Sequence, residues 1–361
     1  MTQVWQIAAG ETGRDYTKLF LDYDVIFMGP GNPGSYDKQI YNALVEQGLI
    51  SKNIATQLRQ FCTEVKDNDI VLLRLGSQAK AIGLIKPAMR RYFWTEIFDD
   101  VFGWDLQHAQ KVIWQHHLTD YLQKIQKSKG LFYQRGPTFS KVHRLEGQLQ
   151  ELFKQCKHRD LKPLPSLPKP LTLEELGTEL FSKGLPNEDV DKFILAIQRQ
   201  RRLAKWYREN RAQSKKPAEH EVVAHMILPF MLALGWSEQL LAVEWNRIDL
   251  AAFSCTPRKK ENVCLLCEAK EYGHGLQNKT FSQATDYVNK LKLDNCKRIL
   301  LTDGARLYLY QRQKENSWND KPVGYLNINS IRTNHIIPPG TSGIDTIRAL
   351  TPAGITREVG K

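Results

Sequence analysis

Short apolar runs bounded by turn residues alternate with amphipathic stretches through the first half of the chain. The predicted strands are VWQIAAG, YDVIFMG and the two apolar runs inside DIVLLRLGSQAKAIGLI. Between the second and third of these, SYDKQIYNALVEQGLI predicts a helix that ends near Gly48, and SKNIATQLRQFCTEV predicts a helix with Ser51 as its N-cap. The mixture of strands and helices predicts an α+β or α/β fold.

In the second half, two apolar runs are joined by a polar segment of the length that a hairpin uses. IDLAAF predicts a strand with Asp249 at its start, VCLLCEAK predicts a second strand, and TPRKKEN predicts the turn between them. Alternate side chains of a strand share a face, so we expect Glu268 and Lys270 to project to one side and Ala269 to the other. Pairing of the two strands is expected to bring Asp249 beside Glu268.

Two carboxylates that converge in a partly buried place repel each other unless a cation neutralises them. Oxygen ligands with room for water suit Mg²⁺ or Mn²⁺. A lysine beside such an ion can hold the attacking water or help to deprotonate it, and the ion can stabilise charge on a phosphate. Asp249, Glu268 and Lys270 therefore favour metal-assisted phosphodiester hydrolysis. A surface hairpin with incidental charges is the alternative, because spacing of the form D…ExK also arises by chance.

Six segments follow one another between residue 217 and about residue 350. They are PAEHEVVAHMILPFMLALGW, VEWNRIDLAAF, CEAK, QATDY, ILLTDGARLYLY and PVGYLNI. In this order they resemble the PD-(D/E)XK nuclease superfamily, and specifically the nuclease domain at the N-terminus of type I restriction subunits. The resemblance implies an endonuclease domain over residues 217–361, with a mixed sheet flanked by helices.

The same resemblance implies roles for individual side chains. The catalytic residues that it implies are Asp249, Glu268, Lys270, Gln283 and Glu219, with Asp249 and Glu268 as the metal ligands. Gln283 and Tyr287 form the QxxxY element of the family, and Glu219 supplies the acidic residue of the first helix. Ile248 stands where the superfamily name has Pro, a substitution that the superfamily often shows.

The N-terminal half carries a second set of family features. They are Trp5, Gly10, the pair Gly13-Arg14, NDIVLLRLGSQAKAIGLIK and FDDVFGWDLQHAQKVIW. These features resemble the EVE/PUA-like fold, a small β-barrel whose members include readers of modified bases. The last segment is the most specific, since a Gly-Trp-Asp turn before a strand that ends in Trp recurs in such domains attached to modification-dependent nucleases. The resemblance implies a modified-base-binding domain over residues 1–160.

A base reader stacks an extruded base between aromatic faces and hydrogen-bonds the Watson–Crick edge of that base. The residues expected to form such a pocket are Trp104, Asp105, Trp5, Tyr36 and Trp94. Asp105 can accept a hydrogen bond from an exocyclic amine. Packing in the barrel core is the alternative for most of the aromatic residues, but a Gly-Trp-Asp turn is an unusual place for a core tryptophan.

A proline-rich run, KPLPSLPKP, starts at Lys162 and marks a domain boundary. We interpret residues 161–216 as a Pro-rich and basic helical linker. Between Arg199 and Lys216 this segment contains eight basic residues and one acidic residue. The residues expected to contact the DNA backbone are Arg201, Arg202, Lys205 and Arg208. A solvated helical face is the alternative, and the interleaved Trp206 and Tyr207 favour the DNA contact.

Composition agrees with a nucleic-acid partner without establishing one. The 361 residues are 42% hydrophobic, and the formal charge is +12 with a pI near 9.3. The six cysteines lack the spacing of a disulfide scaffold, which favours a reducing cytoplasm. The N-terminus turns polar too early for a signal peptide, and the longest apolar run is too short to span a bilayer. We therefore expect a cytoplasmic protein with no membrane partner.

Three further motifs are rejected on geometry. GPGNPG, at Gly29–Gly34, matches a dinucleotide fingerprint, but Pro33 removes an N–H that a phosphate cradle needs. HEVVAH places His220 and His225 five residues apart, which turns them about 140° from each other on an α-helix. No GxxxxGK[ST] sequence occurs, so no ATP site is expected.

These observations together predict a modification-dependent DNA endonuclease of bacterial anti-phage defence. Its expected partner is double-stranded DNA carrying modified bases, with a modified cytosine read by the N-terminal domain. Its expected cofactor is Mg²⁺ or Mn²⁺, and cleavage of both strands implies a homodimer. A non-catalytic nucleic-acid-binding or regulatory protein, and a nuclease that acts on modified RNA, are the alternatives. The modification dependence is implied by the resemblance alone.

Overall fold

The computed structural model describes residues 2–11, 14–30, 34–86, 92–93, 108–129, 137–142, 151–163, 168–210, 218–273, 276, 278–313, 317–319, 321–335 and 340–355. These residues form two compact units, one comprising those up to 163 and the other those from 168 onward. Both units combine a mixed β-sheet with helices. The mixed α and β architecture predicted from the sequence is confirmed at this level.

The first unit is built on a seven-stranded sheet. The strands of the whole unit are β1 (Val4–Ala8), β2 (Gly10–Glu11), β3 (Arg14–Asp15), β4 (Val25–Met28), β5 (Ile70–Leu75), β6 (Gln78–Ile85), β7 (Tyr92–Phe93), β8 (His108–Trp114) and β9 (Phe139–Lys141). The sheet has the order β4-β8-β6-β5-β1-β9, with β7 paired to β8, while β2 and β3 form a separate ladder. The pair β1–β5 is parallel and the other pairs are antiparallel.

Two of the helices of the first unit are bounded by signals in the sequence. The described α-helices of this unit are α1 (Thr17–Asp22), α2 (Lys38–Glu46), α3 (Lys52–Arg59) and α4 (Thr119–Lys129). Ser51 caps α3, because its hydroxyl accepts a hydrogen bond from the Ile54 amide at 3.2 Å. Gly48, after the end of α2, has a positive φ of 70°. The helix predicted up to Val65 continues beyond α3 as a π-helical turn over Gln60–Glu64.

The second unit has a six-stranded sheet. The helices of this unit are α5 (Leu173–Ser182), α6 (Asn187–Glu209), α7 (Glu219–Val222), α8 (Leu228–Ala233), α9 (Asn278–Leu291) and α10 (Gly343–Leu350). The strands of its sheet are β10 (Leu241–Trp245), β11 (Ile248–Phe253), β12 (Val263–Ala269), β13 (Arg298–Thr302), β14 (Arg306–Gln311) and β15 (Gly324–Asn327). The strands lie side by side in chain order. Only β12 and β13 are parallel within this described sheet, and α9 connects them.

Alternation along the strands explains the layers of the second unit. Leu307 and Leu309 of β14 belong to the apolar cluster that includes α5, α6, α8 and α10. Tyr308 and Tyr310 belong to the cluster on the other face, which includes the buried side of α9. Because both faces are covered by helices, the central strands are buried throughout.

Residues 168–210, which the sequence predicts as part of a linker, are instead an integral part of the second unit. Leu176 and Leu180 of α5, and Phe193 and Ile197 of α6, are fully buried in its core. Thr172 and Glu175 form a reciprocal capping box at the start of α5. The apolar positions of these helices therefore serve tertiary packing, which a charge-based interpretation of the segment does not reveal.

The six cysteines are free thiols. Burial raises the pKa of the Cys264 thiol in β12 to about 12. Across the described ranges, the helices lack any stretch that is both long and apolar enough to cross a membrane.

Candidate active site

The pairing of β11 with β12 brings two predicted catalytic carboxylates together. Leu250 pairs with Cys267 in an antiparallel register, so the next position along the ladder sets Asp249 opposite Glu268. The Ala269 amide donates to Asp249 Oδ2 at 2.7 Å, which fixes the aspartate against the neighbouring strand. The connecting segment between Ser254 and Asn262 closes the hairpin that the sequence predicts.

Lys270 lies between two carboxylates at the end of β12. Its Nζ donates to Glu268 Oε1 at 2.9 Å and to Glu219 Oε1 at 3.2 Å. The Lys270 side chain is 12% exposed and the Glu268 side chain 3% exposed. Burial lowers the pKa of Lys270, but the hydrogen bonds and charges of the two carboxylates outweigh it, so the pKa lies above its usual value. Lys270 is therefore protonated and acts as a hydrogen-bond donor.

Crowding of carboxylates changes the protonation of this site. Burial raises the pKa of Glu268 to about 7, and the charges of Asp249 and Glu219 add to this effect. Burial also raises the pKa of Asp249, with Glu219 contributing in the same direction. Asp249, Glu268, Glu219 and Lys270 thus form one electrostatically coupled cluster, which we call the carboxylate–lysine cluster.

The carboxylate–lysine cluster fits a divalent cation on chemical grounds. Glu268 Oε2 is buried and has no hydrogen-bond partner among the described residues. A buried carboxylate oxygen without a partner is costly, and a cation is the group that would satisfy it. Two carboxylates with oxygen donors and an adjacent lysine are typical of Mg²⁺ or Mn²⁺ chemistry. Asp249 and Glu268 are the side chains that would hold such an ion.

Glu219 is the first residue of α7, and the following turn is wider than an α-helical turn. Buried pairs recur every four residues in this segment, at 222–223, 226–227 and 230–231. In a regular α-helix of 3.6 residues per turn, pairs that repeat every four residues drift around the helix and leave the buried face. The wider π-helical turn at Val223–Ile227 offsets this drift and keeps the pairs buried. The 140° separation expected between His220 and His225 assumed a regular α-helix and does not apply. His220 Nδ1 lies 2.8 Å from Glu244 Oε1.

Gly304 allows this helical segment to approach the sheet. Its φ of 89° favours glycine, and a Cβ there would lie 2.5 Å from the Met226 sulfur. The preceding residue, Asp303, is fully buried and accepts hydrogen bonds from the Arg306 guanidinium and from the Gly273 amide. Asp303 therefore positions the loop that follows Lys270. Sequence reasoning did not single it out, although an Asp-Gly pair after an apolar strand is a turn signal.

Gln283 and Tyr287 lie on α9, which covers one face of the sheet. Gln283 is exposed, and Tyr287 is half-buried against the apolar cluster of that face. The described hydrogen bonds do not link Gln283 to the carboxylate–lysine cluster. The structure thus brings together four of the five predicted catalytic residues, and leaves Gln283 at the surface.

The predicted base-pocket residues have separate positions in the first unit. Trp5 is fully buried, stacks on Phe139 with ring centroids 4.9 Å apart, and donates its indole N–H to Asp69 at 2.8 Å. Trp5 is therefore a core residue and has no exposed face for a base, which corrects its assignment. Tyr36 is half-buried and stacks on Tyr41. Trp94, Trp104 and Asp105 lie outside the described residues.

A buried polar group beside Tyr36 was not anticipated from the sequence. The Tyr41 hydroxyl lies 3.0 Å from His108 Nε2, and the Cys62 sulfur lies 3.8 Å from His108 Nδ1. Burial lowers the pKa of His108 to about 4, so the ring is neutral at physiological pH. These side chains sit on three different elements, α2, the π-helical turn and β8, which sequence proximity does not indicate.

The predicted DNA-contacting residues on α6 point in different directions. Arg201 is half-buried and its Nε donates to the Ile328 carbonyl at 2.7 Å, so one of its guanidinium donors is used within the fold. Its contact with the DNA backbone stays a prediction. Arg202 and Lys205 are exposed. Arg208 lies in the last turn of α6, and its side chain is outside the described part.

No protein-family model matches this chain, and a search of the curated proteins finds no match.

Proposed function

We propose that the second unit is a Mg²⁺- or Mn²⁺-dependent nuclease domain of the PD-(D/E)XK type that hydrolyses phosphodiester bonds in DNA. The observation that carries the proposal is the convergence of Asp249, Glu268 and Glu219 on the ammonium of Lys270. The order of elements supports it as well, since a helix with an acidic residue precedes an antiparallel hairpin and a parallel crossover strand.

The side chains of the cluster have distinct tasks in this reaction. A bound divalent ion supplies charge neutralisation at the phosphate and a more acidic water. Asp249 and Glu268 hold the ion, and Asp249 is kept in place by the Ala269 amide. Lys270, oriented by Glu268 and Glu219, holds the attacking water by a hydrogen bond and places positive charge beside the developing negative charge. Glu219 orients the ammonium from the side of α7.

The first unit has the role of a PUA-like reader of a modified base, most simply a modified cytosine, in this proposal. The support is the Gly-Trp-Asp segment of the sequence and the mixed sheet of this unit. Together the two units form a modification-dependent endonuclease of anti-phage defence, acting as a homodimer where both strands are cut.

The nuclease activity is tested with Asp249→Asn and Lys270→Ala in a plasmid-nicking assay in Mg²⁺, beside a gel shift in Ca²⁺. We expect cleavage to fall by at least about a thousandfold, while DNA affinity stays within about threefold of the wild-type value. Asp294→Asn, which changes an exposed aspartate of the same unit, is the matched control and keeps full activity. Full activity in the Asp249→Asn variant would place the catalytic site elsewhere.

The modification dependence is tested separately. The wild-type protein should cleave phage DNA with modified cytosine faster than the same sequence amplified with plain cytosine, and Trp104→Ala should abolish this preference without abolishing cleavage. A modified tRNA included in the same panel reports on RNA. Equal cleavage of the two DNAs by the wild-type protein would refute the reader function and leave the nuclease proposal intact.

A further inference from the structure

The outward face of α6 carries a row of exposed side chains that the catalytic proposal does not use. These side chains lie at intervals of three and four residues, so they line one face of the helix. They are Lys192, Leu195, Arg199, Arg202 and Trp206. All five are exposed. The row extends over about 21 Å, because an α-helix rises 1.5 Å per residue. We call this surface the α6 row.

The exposed charge of α6 becomes basic toward the C-terminal end of the helix. Glu188 and Asp191 are exposed near its start, whereas Arg199, Arg202 and Lys205 are exposed farther along. The helix dipole favours cations only in the last turn, and Arg199 lies more than two turns before that end. Within the described residues, neither Arg199 nor Arg202 forms a salt bridge, so the dipole and local ion pairs do not account for these arginines.

Trp206 is an unusual residue to leave in water. It is 50% exposed, whereas Trp236 of the same unit is 3% exposed and donates its indole N–H to the Leu350 carbonyl at 2.7 Å. An indole ring is among the largest apolar groups in a protein, and its exposed face is a surface for stacking. The indole ring packs against the ring of Tyr207, with centroids 5.4 Å apart and planes at 61°.

The C-terminal end of α6 is anchored to two of the three segments that carry the carboxylate–lysine cluster. The buried Tyr207 donates its hydroxyl hydrogen to Glu221 Oε1 at 2.9 Å, and Glu221 is two residues after the catalytic glutamate of α7. The Tyr207 ring also lies 5.5 Å from the ring of Tyr272, which is two residues after Lys270. Trp206 is thus one residue from the side chain that joins α6 to the site.

We infer that Trp206 stacks on an unpaired base of a DNA strand while Arg199 and Arg202 hold the phosphates beside it. A base inside a duplex is already stacked on both faces, so an exposed indole can stack only on a base that has left the helix. Arginines at one-turn spacing on the same face neutralise successive phosphates. The substrate that the α6 row fits is therefore DNA with a single-stranded or extruded nucleotide beside the scissile phosphate, and this statement about the cut rests on the proposed nuclease function.

The test measures binding without cleavage, using fluorescence anisotropy of the full chain in Ca²⁺. The probes are a 5′-fluorescein oligothymidine 20-mer and a blunt 20-base-pair duplex. Trp206→Ala and Trp206→Leu should weaken binding of the single strand by about fivefold to a hundredfold and binding of the duplex by less than about twofold. Trp206→Phe, which retains a stacking ring, should stay within about threefold of the wild type. Phe181→Ala is the matched control, because it removes an exposed aromatic side chain of the same unit that lies outside the α6 row, and it should leave both affinities unchanged.

The outcomes separate this inference from the nuclease proposal. Equal losses on both probes, or no loss in Trp206→Ala, overturn the stacking role even if cleavage depends on Asp249. A Trp206→Leu variant that keeps wild-type binding of the single strand, or a Trp206→Phe variant that loses as much as Trp206→Ala, also overturns the stacking role. Tighter, Trp206-dependent binding of a uridine 20-mer overturns the assignment to DNA. Trp206-dependent binding of the DNA strand with no cleavage by the wild type supports the inference and refutes the nuclease.

Discussion

Replacing the buried Glu268 by glutamine, its neutral isostere, should stabilise the second unit at neutral and alkaline pH. In the absence of a divalent ion, Glu268 is 3% exposed and one of its oxygens lacks a partner among the described residues. A charge in that position is destabilising. Glu268→Gln keeps the shape of the side chain and removes the charge, so the variant reports directly on the cost of the ionised carboxylate.

The structure gives the size and the sign of the effect. Burial raises the pKa of Glu268 from its usual 4.5 to about 7. Because the folded pKa lies above the unfolded one, the folded state binds more protons between these values, and the stability of the wild type falls as the pH rises from about 4.5 to about 7. The full shift corresponds to about 3 kcal/mol, and screening at the open side of the cluster reduces this to about 1–3 kcal/mol.

The measurement is urea denaturation in EDTA at pH 5, 6, 7 and 8. Asp303→Asn serves to identify which transition belongs to the second unit, since this substitution breaks a buried ion pair there. We expect the advantage of Glu268→Gln over the wild type to grow by about 1–3 kcal/mol between pH 5 and pH 8. Glu261→Gln, which changes an exposed glutamate of the same unit, should show no such growth.

Two results would refute this reasoning. A difference between Glu268→Gln and the wild type that does not change with pH would mean that the carboxylate ionises normally in the folded protein. A variant that is less stable than the wild type at pH 8 would mean that the hydrogen bond between Glu268 and Lys270 outweighs the burial of the charge.

Three further tests concern a buried ion pair, the two adjacent arginines of α6 and the turn at Gly304. In urea denaturation, Asp303→Asn should lower the unfolding free energy by about 3–5 kcal/mol, because it leaves a buried guanidinium unpaired. Asp345→Asn, which removes an exposed ion pair, should lower it by under about 1 kcal/mol. Arg202→Gln should lower the slope of log K against log salt by about 0.7–0.9, whereas Arg201→Gln should leave it unchanged; equal slopes would contradict the assignment of these two side chains. Gly304→Ala should lower the melting temperature by at least about 4 °C, since it forces a left-handed backbone and a contact with a buried methionine sulfur, and an unchanged melting temperature would show that the turn adapts.

Local patterns predicted the elements that hold the site. The apolar runs at Ile248–Phe253 and Val263–Ala269 are strands as expected, and the α3 cap at Ser51 is confirmed. Alternation within a strand is also sufficient to put Glu268 and Lys270 on one side, because it depends only on backbone geometry. These predictions succeed since each depends on residues close together in the chain.

Contacts between residues far apart in the chain could not be predicted from the sequence. The sequence contains Tyr41, Cys62 and His108 far apart, and only the folding of three elements onto each other makes them neighbours. Trp5 is a residue type that can stack on a base. The sequence does not reveal that it is buried, because the aspartate that accepts its N–H is 64 positions away. An aromatic side chain is equally suited to a core and to a pocket, so its burial depends on the partners that the fold provides.

The basic segment shows how helical phase decides the use of a charge. Arg201 and Arg202 are adjacent in sequence and equal in charge, yet they point about 100° apart on α6. The apolar residues Phe193 and Ile197 are buried against the second unit and fix the orientation of the helix. That orientation turns Arg201 toward the Ile328 carbonyl and Arg202 toward solvent beside Trp206. Counting charges cannot distinguish the two arginines, whereas the buried face of the helix does, because it determines which side remains available to a phosphate.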